Sequence, residues 1–159
     1  MTISPEAVLT ACREAGLKLV TAESCTGGMV SASLIDIAGS SDVVLGGVVA
    51  YSNSVKRAVL NVRSEILEIH GAVSEETAVE MANGALSRLG ADIAVAITGV
   101  AGPGASGPKP EGMVCFALSR RGAPPVSQTC QFGALGRDAV RAESRDHALA
   151  MVLSSLSKL

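Results

Sequence analysis

The amino-acid sequence predicts an α/β fold, a three-layer α/β/α sandwich on a mixed five-stranded sheet with one antiparallel strand. Buried apolar runs alternate with helical patterns over the first hundred residues, which is typical of parallel βαβ units. Two more strands then follow through loops, with no helix between them, which indicates antiparallel neighbours. Hydrophobic residues make up 48% of the 159-residue chain, which is enough for a full core. We therefore expect residues 1–159 to form a single domain.

The first fifty residues predict two helices and two strands in alternation. The tripeptide Ser-Pro-Glu at 4–6 starts a helix that Gly16 ends, because a capping hydroxyl, a first-turn proline and a terminal glycine mark helix boundaries. The first half of residues 17–28 predicts a buried strand, and helical spacing of apolar residues follows it. Residues 43–50 predict a second, parallel strand. Its nearly continuous apolar character indicates that both of its faces are covered.

The remainder predicts helices, then strands, then a last helix. Short helical turns are expected up to His70, and Ser74 begins a longer helix that Gly90 ends. The apolar residues expected on the inner side of this longer helix are Val79, Met81, Ala82, Leu86 and Leu89. Three further strands are predicted, of which the first is parallel to its predecessors: 93–97, 113–118 and 126–132. A glycine–proline loop occupies 98–108, and the last helix is predicted over about 137–156.

Composition and charge exclude several classes of function. A formal net charge of -2 argues against a broad nucleic-acid footprint, and one Tyr with two Phe offers no platform for stacked bases. The four cysteines and two histidines show no metal-ligand spacing, so we expect no metal and free thiols in a reducing compartment. The longest apolar run is too short to span a bilayer, and the amino terminus lacks a signal-peptide layout. We expect a soluble, cytoplasmic protein that binds neither nucleic acid nor membrane.

Three turns are expected to meet at the carboxyl ends of the parallel strands, where open α/β sheets bind ligands. They are residues 22–28, 51–56 and 98–104. Ser24 is the candidate nucleophile, and its hydroxyl needs a base to take its proton. His70 and His147 lie outside all three turns. Lys56 lies in the second turn and can act as the base if burial lowers its pKa, and Tyr51 could donate to, or relay a proton between, the serine and the lysine.

Each candidate has a plainer interpretation: a capping serine, a solvated lysine and a packed tyrosine. Cys25 is a second candidate nucleophile because a helix amino terminus lowers a thiol pKa, but no histidine partner is evident. Two sequence motifs that would indicate other functions lack the helix that those functions require. The G-x-G-x-x-G pattern at 102–107 opens no helix, as a dinucleotide-binding motif would. The S-x-x-K pattern at 106–109 contains Gly-Pro, which forbids the helical turn that the penicillin-binding motif needs. Tyr51 and Lys56 are five residues apart, one residue more than the Tyr–Lys spacing of the short-chain dehydrogenase motif.

Four segments, in order, resemble the signature of the CinA carboxy-terminal domain family: TAESCTGG at 21–28, VAYSNSVK at 49–56, GAVSEETA at 71–78 and TGVAGPG at 98–104. The resemblance implies a nicotinamide-nucleotide amidohydrolase, which converts nicotinamide mononucleotide and water into nicotinate mononucleotide and ammonia in pyridine nucleotide salvage. It implies Ser24 as nucleophile, Lys56 as base and Tyr51 as its partner. No cofactor is expected. Longer relatives carry an additional amino-terminal pyrophosphatase-like domain, and that activity is not expected for this chain.

The expected substrate has a carboxamide, which must reach Ser24, and a phosphate some way off. Backbone N–H groups after Ser24 are expected to hold the oxyanion, and the candidates are Cys25, Thr26, Gly27 and Gly28. The glycine loop and the start of the last helix are expected to hold the phosphate. The candidates there are Thr98, Gly99, Gly102, Gly104 and Arg137. Residues 105–108 and 132–137 depart from the usual family pattern.

Two other functions remain open at this point: a non-catalytic nucleotide-binding regulatory module, and a short-chain-type dehydrogenase. Release of ammonia from nicotinamide mononucleotide separates the amidase from the binding module, and redox change of a nicotinamide cofactor would mark the dehydrogenase. The expected partner is a small-molecule nucleotide, and association into a homo-oligomer is left open.

Overall fold

The computed structural model describes residues 3–157, which fold into helices and strands in the predicted order. The helices are α1 (Pro5–Ala15), α2 (Met29–Ile35), α3 (Asn53–Leu60), α4 (Ser64–His70), α5 (Glu75–Leu89) and α6 (Arg137–Leu156). The strands are β1 (Leu19–Glu23), β2 (Val44–Val49), β3 (Ile93–Gly99), β4 (Met113–Arg120) and β5 (Val126–Gln131). A short 3₁₀ turn over Ser40–Asp42 precedes β2.

The five strands form one mixed sheet in the order β2-β1-β3-β4-β5. β1 pairs in parallel with both β2 and β3, and β4 runs antiparallel to both β3 and β5. β4 is therefore the one antiparallel strand, which confirms the predicted sheet. In register, Glu23 at the end of β1 pairs with Val49 on one side and Ile97 on the other. β1 and β2 end at Glu23 and Val49, and β3 runs two residues further to Gly99, so the three strands end at the same edge, where the candidate site was expected.

Helices cover both faces of the sheet, and each face has its own core. On one face, α1, α2 and α6 pack on large side chains such as Ile93, Val95 and Ile97. On the other, α5 packs on Ala94 and Ala96. The helix presents mostly small residues in return, since its buried positions are Thr77, Ala78, Met81, Ala82 and Ala85. The prediction of Met81 and Ala82 is confirmed, whereas Val79, Leu86 and Leu89 are only partly buried at the border of this core.

The prediction that β2 is covered on both faces is wrong. β2 is an edge strand, and Leu45 and Val49 expose 48% and 51% of their surface. The apolar run suggested cover on both faces, but cover also depends on the place of the strand in the sheet, and β2 has a neighbour only on the side of β1. The run predicted the strand itself correctly, but not its place in the sheet.

Gly84 on α5 allows this helix to approach the carboxyl end of α3 closely. A Cβ atom at Gly84 would lie 1.9 Å from the Leu60 carbonyl oxygen, which is far inside van der Waals contact. α3 is the helix that carries Lys56, so this contact fixes a helix of the candidate site against the core.

We predict that Gly84→Ala lowers the free energy of unfolding by about 1–3 kcal/mol, because two backbones must separate. The sign is diagnostic, since glycine to alanine inside an unobstructed helix stabilises it by roughly 1 kcal/mol. Urea denaturation would measure the change, with the exposed Ser87→Ala on the same helix as the control. A Gly84→Ala protein more stable than wild type would show that the α3–α5 contact imposes no constraint.

Candidate active site

Ser24 is the first residue after β1, and main-chain hydrogen bonds hold it in place on both sides. Its N–H donates to the Ile97 carbonyl of β3 at 2.9 Å, and the Glu23 carbonyl beside it accepts from the Ala50 N–H at 2.8 Å. Ser24 is buried, with only 7% of its surface exposed. The chain then turns through Cys25–Gly28 into α2, as the sequence predicted.

Lys56 reaches Ser24 from the first turns of α3. Helical side chains lean towards the helix amino terminus, so the Lys56 amine returns towards the residues that precede α3. Its Nζ lies 3.0 Å from Ser24 Oγ, 2.9 Å from the Ala50 carbonyl oxygen and 3.0 Å from the Tyr51 carbonyl oxygen. Ser52 caps the helix through its hydroxyl, which accepts from the Val55 N–H at 3.2 Å. The structure thus brings together the predicted nucleophile and the predicted base.

Burial prepares Lys56 to be neutral. The residue is only 1% exposed, and loss of water around the ammonium lowers the pKa of Lys56, with a smaller opposing influence from Cys25. A neutral amine would donate two N–H groups to the two carbonyls and turn its lone pair to the Ser24 hydroxyl. This is the arrangement that a general base requires.

Glu23 is a site residue that the sequence analysis missed. It is fully buried, and its carboxylate accepts four hydrogen bonds from the turn and from the start of α2. Oε1 accepts from the Thr26 hydroxyl at 2.7 Å, the Gly28 N–H at 3.2 Å and the Val30 N–H at 3.0 Å. Oε2 accepts from the Ser31 N–H at 3.0 Å. Glu23 therefore caps α2 and shapes the Ser24 turn at the same time.

This carboxylate changes the expectation for the four N–H groups after Ser24. The Gly28 N–H donates to the Glu23 carboxylate, and the Gly27 N–H donates to the Ser24 carbonyl at 3.1 Å. Two of the four predicted oxyanion donors are thus used within the protein, and the α2 amino terminus already holds an anion of its own. The N–H groups of Cys25 and Thr26 make no hydrogen bond to another residue within 3–157.

Tyr51 and Arg137 face each other across the mouth of the site. The Tyr51 side chain is 64% exposed, and its hydroxyl accepts from an Arg137 amino group at 3.3 Å. A second Arg137 amino group donates to the Gly102 carbonyl at 2.7 Å. Tyr51 contacts Lys56 through its main-chain carbonyl rather than its phenol. Its role as a proton relay between the serine and the lysine stays a prediction.

A cleft of about 250 Å³ opens beside this pair. It is lined by Tyr51, Val73, Arg137 and the glycine loop 99–106. A larger cavity of about 470 Å³ adjoins it, because Val73 and Ser106 line both. Ser24 does not line the cleft. Tyr51 does, and its main-chain carbonyl accepts a hydrogen bond from the Lys56 amine, which also contacts Ser24. Of the two cavities, the smaller cleft is the one lined by Tyr51, a residue in direct contact with Lys56.

Two of the expected phosphate donors are already engaged. The Thr98 hydroxyl donates to the Ala72 carbonyl at 2.7 Å, and the Gly104 N–H donates to the Glu111 carboxylate at 2.6 Å. Gly102 is held close to the same carboxyl group, since a Cβ there would lie 2.6 Å from Glu111 Oε1. Glu111 therefore organises the loop, as Glu23 organises the Ser24 turn. Gly99 lines the cleft directly.

The competing catalytic residues do not form an alternative centre. Burial raises the pKa of the Cys25 thiol to about 11, which disfavours the thiolate that a cysteine nucleophile needs. His147 packs on Phe116 with ring centroids 4.4 Å apart, and accepts or donates to Gln128 at 2.8 Å. His70 Nδ1 lies 3.7 Å from a Glu76 carboxylate oxygen. Neither histidine contacts Ser24, in agreement with the sequence analysis. No helix within residues 3–157 is both long and apolar enough to cross a bilayer.

Comparison with known proteins agrees with this architecture. Residues 2–156 match the family model described as the CinA C-terminal domain. A CinA-like protein of Mycolicibacterium vanbaalenii is 48% identical over 144 residues, which are 90% of this chain and 34% of that protein. A CinA-like protein of Pseudothermotoga lettingae is 41% identical over 155 residues, 97% of this chain and 38% of that protein. The chain thus spans little more than a third of the length of these curated relatives.

Solved structures match over nearly the whole chain. The competence/damage inducible protein of Agrobacterium tumefaciens superposes with a TM-score of 0.87 at 42% identity, and the match covers 99% of each chain. A CinA superfamily protein of Klebsiella pneumoniae superposes with a TM-score of 0.93 at 40% identity, covering 98% of this chain and 96% of that one.

We predict that Glu23→Gln lowers the free energy of unfolding by about 1–3 kcal/mol. The carboxylate offers two acceptor oxygens to its four donors, whereas the amide of glutamine offers only one. The NH₂ group of the glutamine would face either the Ser31 N–H or the three donors at Oε1. Urea denaturation would measure the loss, with Glu143→Gln on the exposed side of α6 as the matched control. Equal stability of the Glu23→Gln protein and the control would show that the carboxylate does not hold the turn.

Proposed function

This chain belongs to the CinA C-terminal domain family, and on that premise we propose that it is an amidase acting on nicotinamide mononucleotide. The products are nicotinate mononucleotide and ammonia. The observation that carries the proposal is the distance of 3.0 Å between Lys56 Nζ and Ser24 Oγ, in a buried setting that lowers the pKa of the lysine. A serine needs such a base, and no histidine contacts it within residues 3–157.

The first half of the proposed reaction forms an acyl-enzyme. Ser24 Oγ attacks the carboxamide carbon, and its proton passes to the Lys56 amine. The carbonyl oxygen becomes an oxyanion, which the N–H groups of Cys25 and Thr26 are free to hold. Collapse of this intermediate breaks the carbon–nitrogen bond, and the proton on Lys56 passes to the leaving nitrogen. Ammonia departs, and the nicotinoyl group stays bound to Ser24 as an ester.

The second half regenerates the enzyme. A water molecule attacks the ester carbon and gives its proton to the neutral Lys56 amine. The new tetrahedral intermediate collapses, the Ser24 oxygen leaves, and it recovers a proton from Lys56. The released carboxylic acid ionises to nicotinate mononucleotide. Lys56 acts as base and then as acid in each half, so its pKa must allow both forms near neutral pH.

The phosphate end of the substrate is proposed to lie in the cleft between Tyr51 and the glycine loop. Arg137 supplies the positive charge there, and exchange of its Gly102 and Tyr51 partners for phosphate oxygens would form charge-assisted hydrogen bonds. The loop also offers N–H groups at Ala101, Gly102 and Ala105 that bond to no other residue within 3–157. One oxygen of the adjoining Glu111 carboxylate accepts from the Gly104 N–H of the same loop.

We predict that the purified protein releases ammonia from nicotinamide mononucleotide much faster than from free nicotinamide, because only the former engages the cleft. Ser24→Ala should lower the rate by a factor of about 1,000 or more, since no nucleophile replaces the hydroxyl. Cys25→Ala is the matched control and should keep a substantial part of the activity. Enzyme-coupled detection of ammonia measures all three proteins.

Each contrary result points to a different error. An active Ser24→Ala with an inactive Cys25→Ala would reverse the nucleophile. Equal use of nicotinamide and its mononucleotide would remove the phosphate site. Binding of the mononucleotide without ammonia release would favour the non-catalytic binding module, and redox change of a nicotinamide cofactor would favour a dehydrogenase.

We predict that the rate falls on acidification, because Lys56 must be neutral to accept the serine proton. Burial lowers its pKa, so the neutral form persists to lower pH than for an exposed lysine and is lost as pH falls through that pKa. Lys56→Arg should be nearly inactive at every pH, since a guanidinium keeps its proton. The exposed Lys18→Arg is the control. A Lys56→Arg enzyme with the wild-type pH profile would remove the lysine from the mechanism.

A further inference from the structure

We propose that Arg141 is a positioning residue that holds the Ser24 turn and polarises the peptide group whose Thr26 N–H faces the oxyanion. The inference rests on the proposed role of Ser24 as a nucleophile. Arg141 lies on α6, one helical turn beyond Arg137, and the sequence analysis did not place it in the site.

Two peptide groups carry the two available N–H donors. The Cys25 N–H shares its peptide group with the Ser24 carbonyl, and that carbonyl accepts from the Gly27 N–H at 3.1 Å. The Thr26 N–H shares its peptide group with the Cys25 carbonyl. Any donor to the Cys25 carbonyl therefore acts directly on the Thr26 N–H, because polarising one end of a peptide group strengthens the other.

Arg141 is that donor. Its Nε donates to the Cys25 carbonyl oxygen at 2.9 Å, and one of its amino groups donates to the Thr26 carbonyl oxygen at 3.3 Å. The contacts join residues far apart in sequence and connect α6 to the turn between β1 and α2. Glu23 accepts hydrogen bonds from N–H and hydroxyl groups of this turn, and Arg141 donates to carbonyl groups of the same turn.

The charge of Arg141 is not neutralised by a nearby acid. No carboxylate within residues 3–157 lies within ion-pair distance of its guanidinium. The side chain is half-buried, so water screens it only in part. Its field reaches the turn, since Arg141 works to lower the pKa of the Cys25 thiol, against the larger effect of burial and against the opposing charge of Glu23. A negative oxygen that develops beside Ser24 would experience the same field.

An interaction of this kind acts on the charged intermediate and hardly at all on the bound substrate. Losing it should therefore lower turnover and leave ground-state affinity unchanged, which separates positioning of the oxyanion donors from a general weakening of the fold. The variants are Arg141→Met, which keeps the stem and removes the guanidinium, and Arg141→Lys, which keeps one cation. Arg145→Met on the same helix is the control, because Arg145 pairs with its neighbour Asp146 and contacts no part of the turn.

Two readouts test the proposal. The first is steady-state hydrolysis of nicotinamide mononucleotide, together with the dissociation constant of the product nicotinate mononucleotide. The second is the rate at which an alkyl fluorophosphonate labels Ser24. In that reaction Ser24 Oγ bonds to phosphorus, fluoride leaves, the serine proton passes to Lys56, and the phosphoryl oxygen occupies the oxyanion position. Labelling needs no knowledge of the substrate.

Arg141→Met should lower both turnover and the labelling rate by roughly 10-fold to 100-fold, with product affinity close to wild type. Arg141→Lys should recover part of the loss, and Arg145→Met should match wild type. Labelling of Arg141→Met at the wild-type rate would overturn the proposal. So would a parallel fall in turnover, product affinity and melting temperature in both Arg141 variants, which would mean that the side chain only stabilises the fold. Labelled wild-type protein that releases no ammonia would refute the substrate instead, and the labelling comparison would still decide the role of Arg141.

Discussion

The candidate site depends on a buried carboxylate. Transferring the charge of Glu23 out of water is unfavourable by several kcal/mol unless hydrogen bonds replace the lost hydration. All four of its donors come from the eight residues that follow it, so the chain must fold back over the carboxylate immediately after β1. Ser24 and Cys25 lie within that fold-back. The position of the nucleophile is thus a consequence of how a buried anion is satisfied.

Lys56 is the opposite case, since the structure does not neutralise it with an acid. Two carbonyls and a hydroxyl surround its amine, and none of these groups carries the negative charge that would offset the loss of water around an ammonium. Burial then shifts the balance towards the neutral form. A carboxylate next to Lys56 would raise its pKa and remove its use as a base. The site therefore keeps its buried acid and its buried amine on separate hydrogen-bond networks, with Ser24 between them.

The elements were predictable because apolar spacing and capping residues are local signals, and α6 begins and ends where the pattern placed it. Ser24 and Lys56 were found because both follow parallel strands, whose carboxyl ends must meet. Glu23 was missed because it lies in a buried strand and its partners are mostly backbone N–H groups, which every residue has. Arg141 was missed because its acceptors are carbonyls on a distant turn. The edge position of β2 was missed because strand order in the sheet is not encoded in one strand's composition.

The hydrogen bond from the Ser24 N–H to the Ile97 carbonyl has a consequence for the order in which the molecule assembles. The two residues are distant in sequence, and parallel pairing across such a gap is slow because a long loop must close first. The nucleophile turn therefore reaches its final geometry only when β3 has docked beside β1. A partly folded chain rich in helix would therefore lack the site, and recovery of activity during refolding would follow sheet completion rather than helix formation.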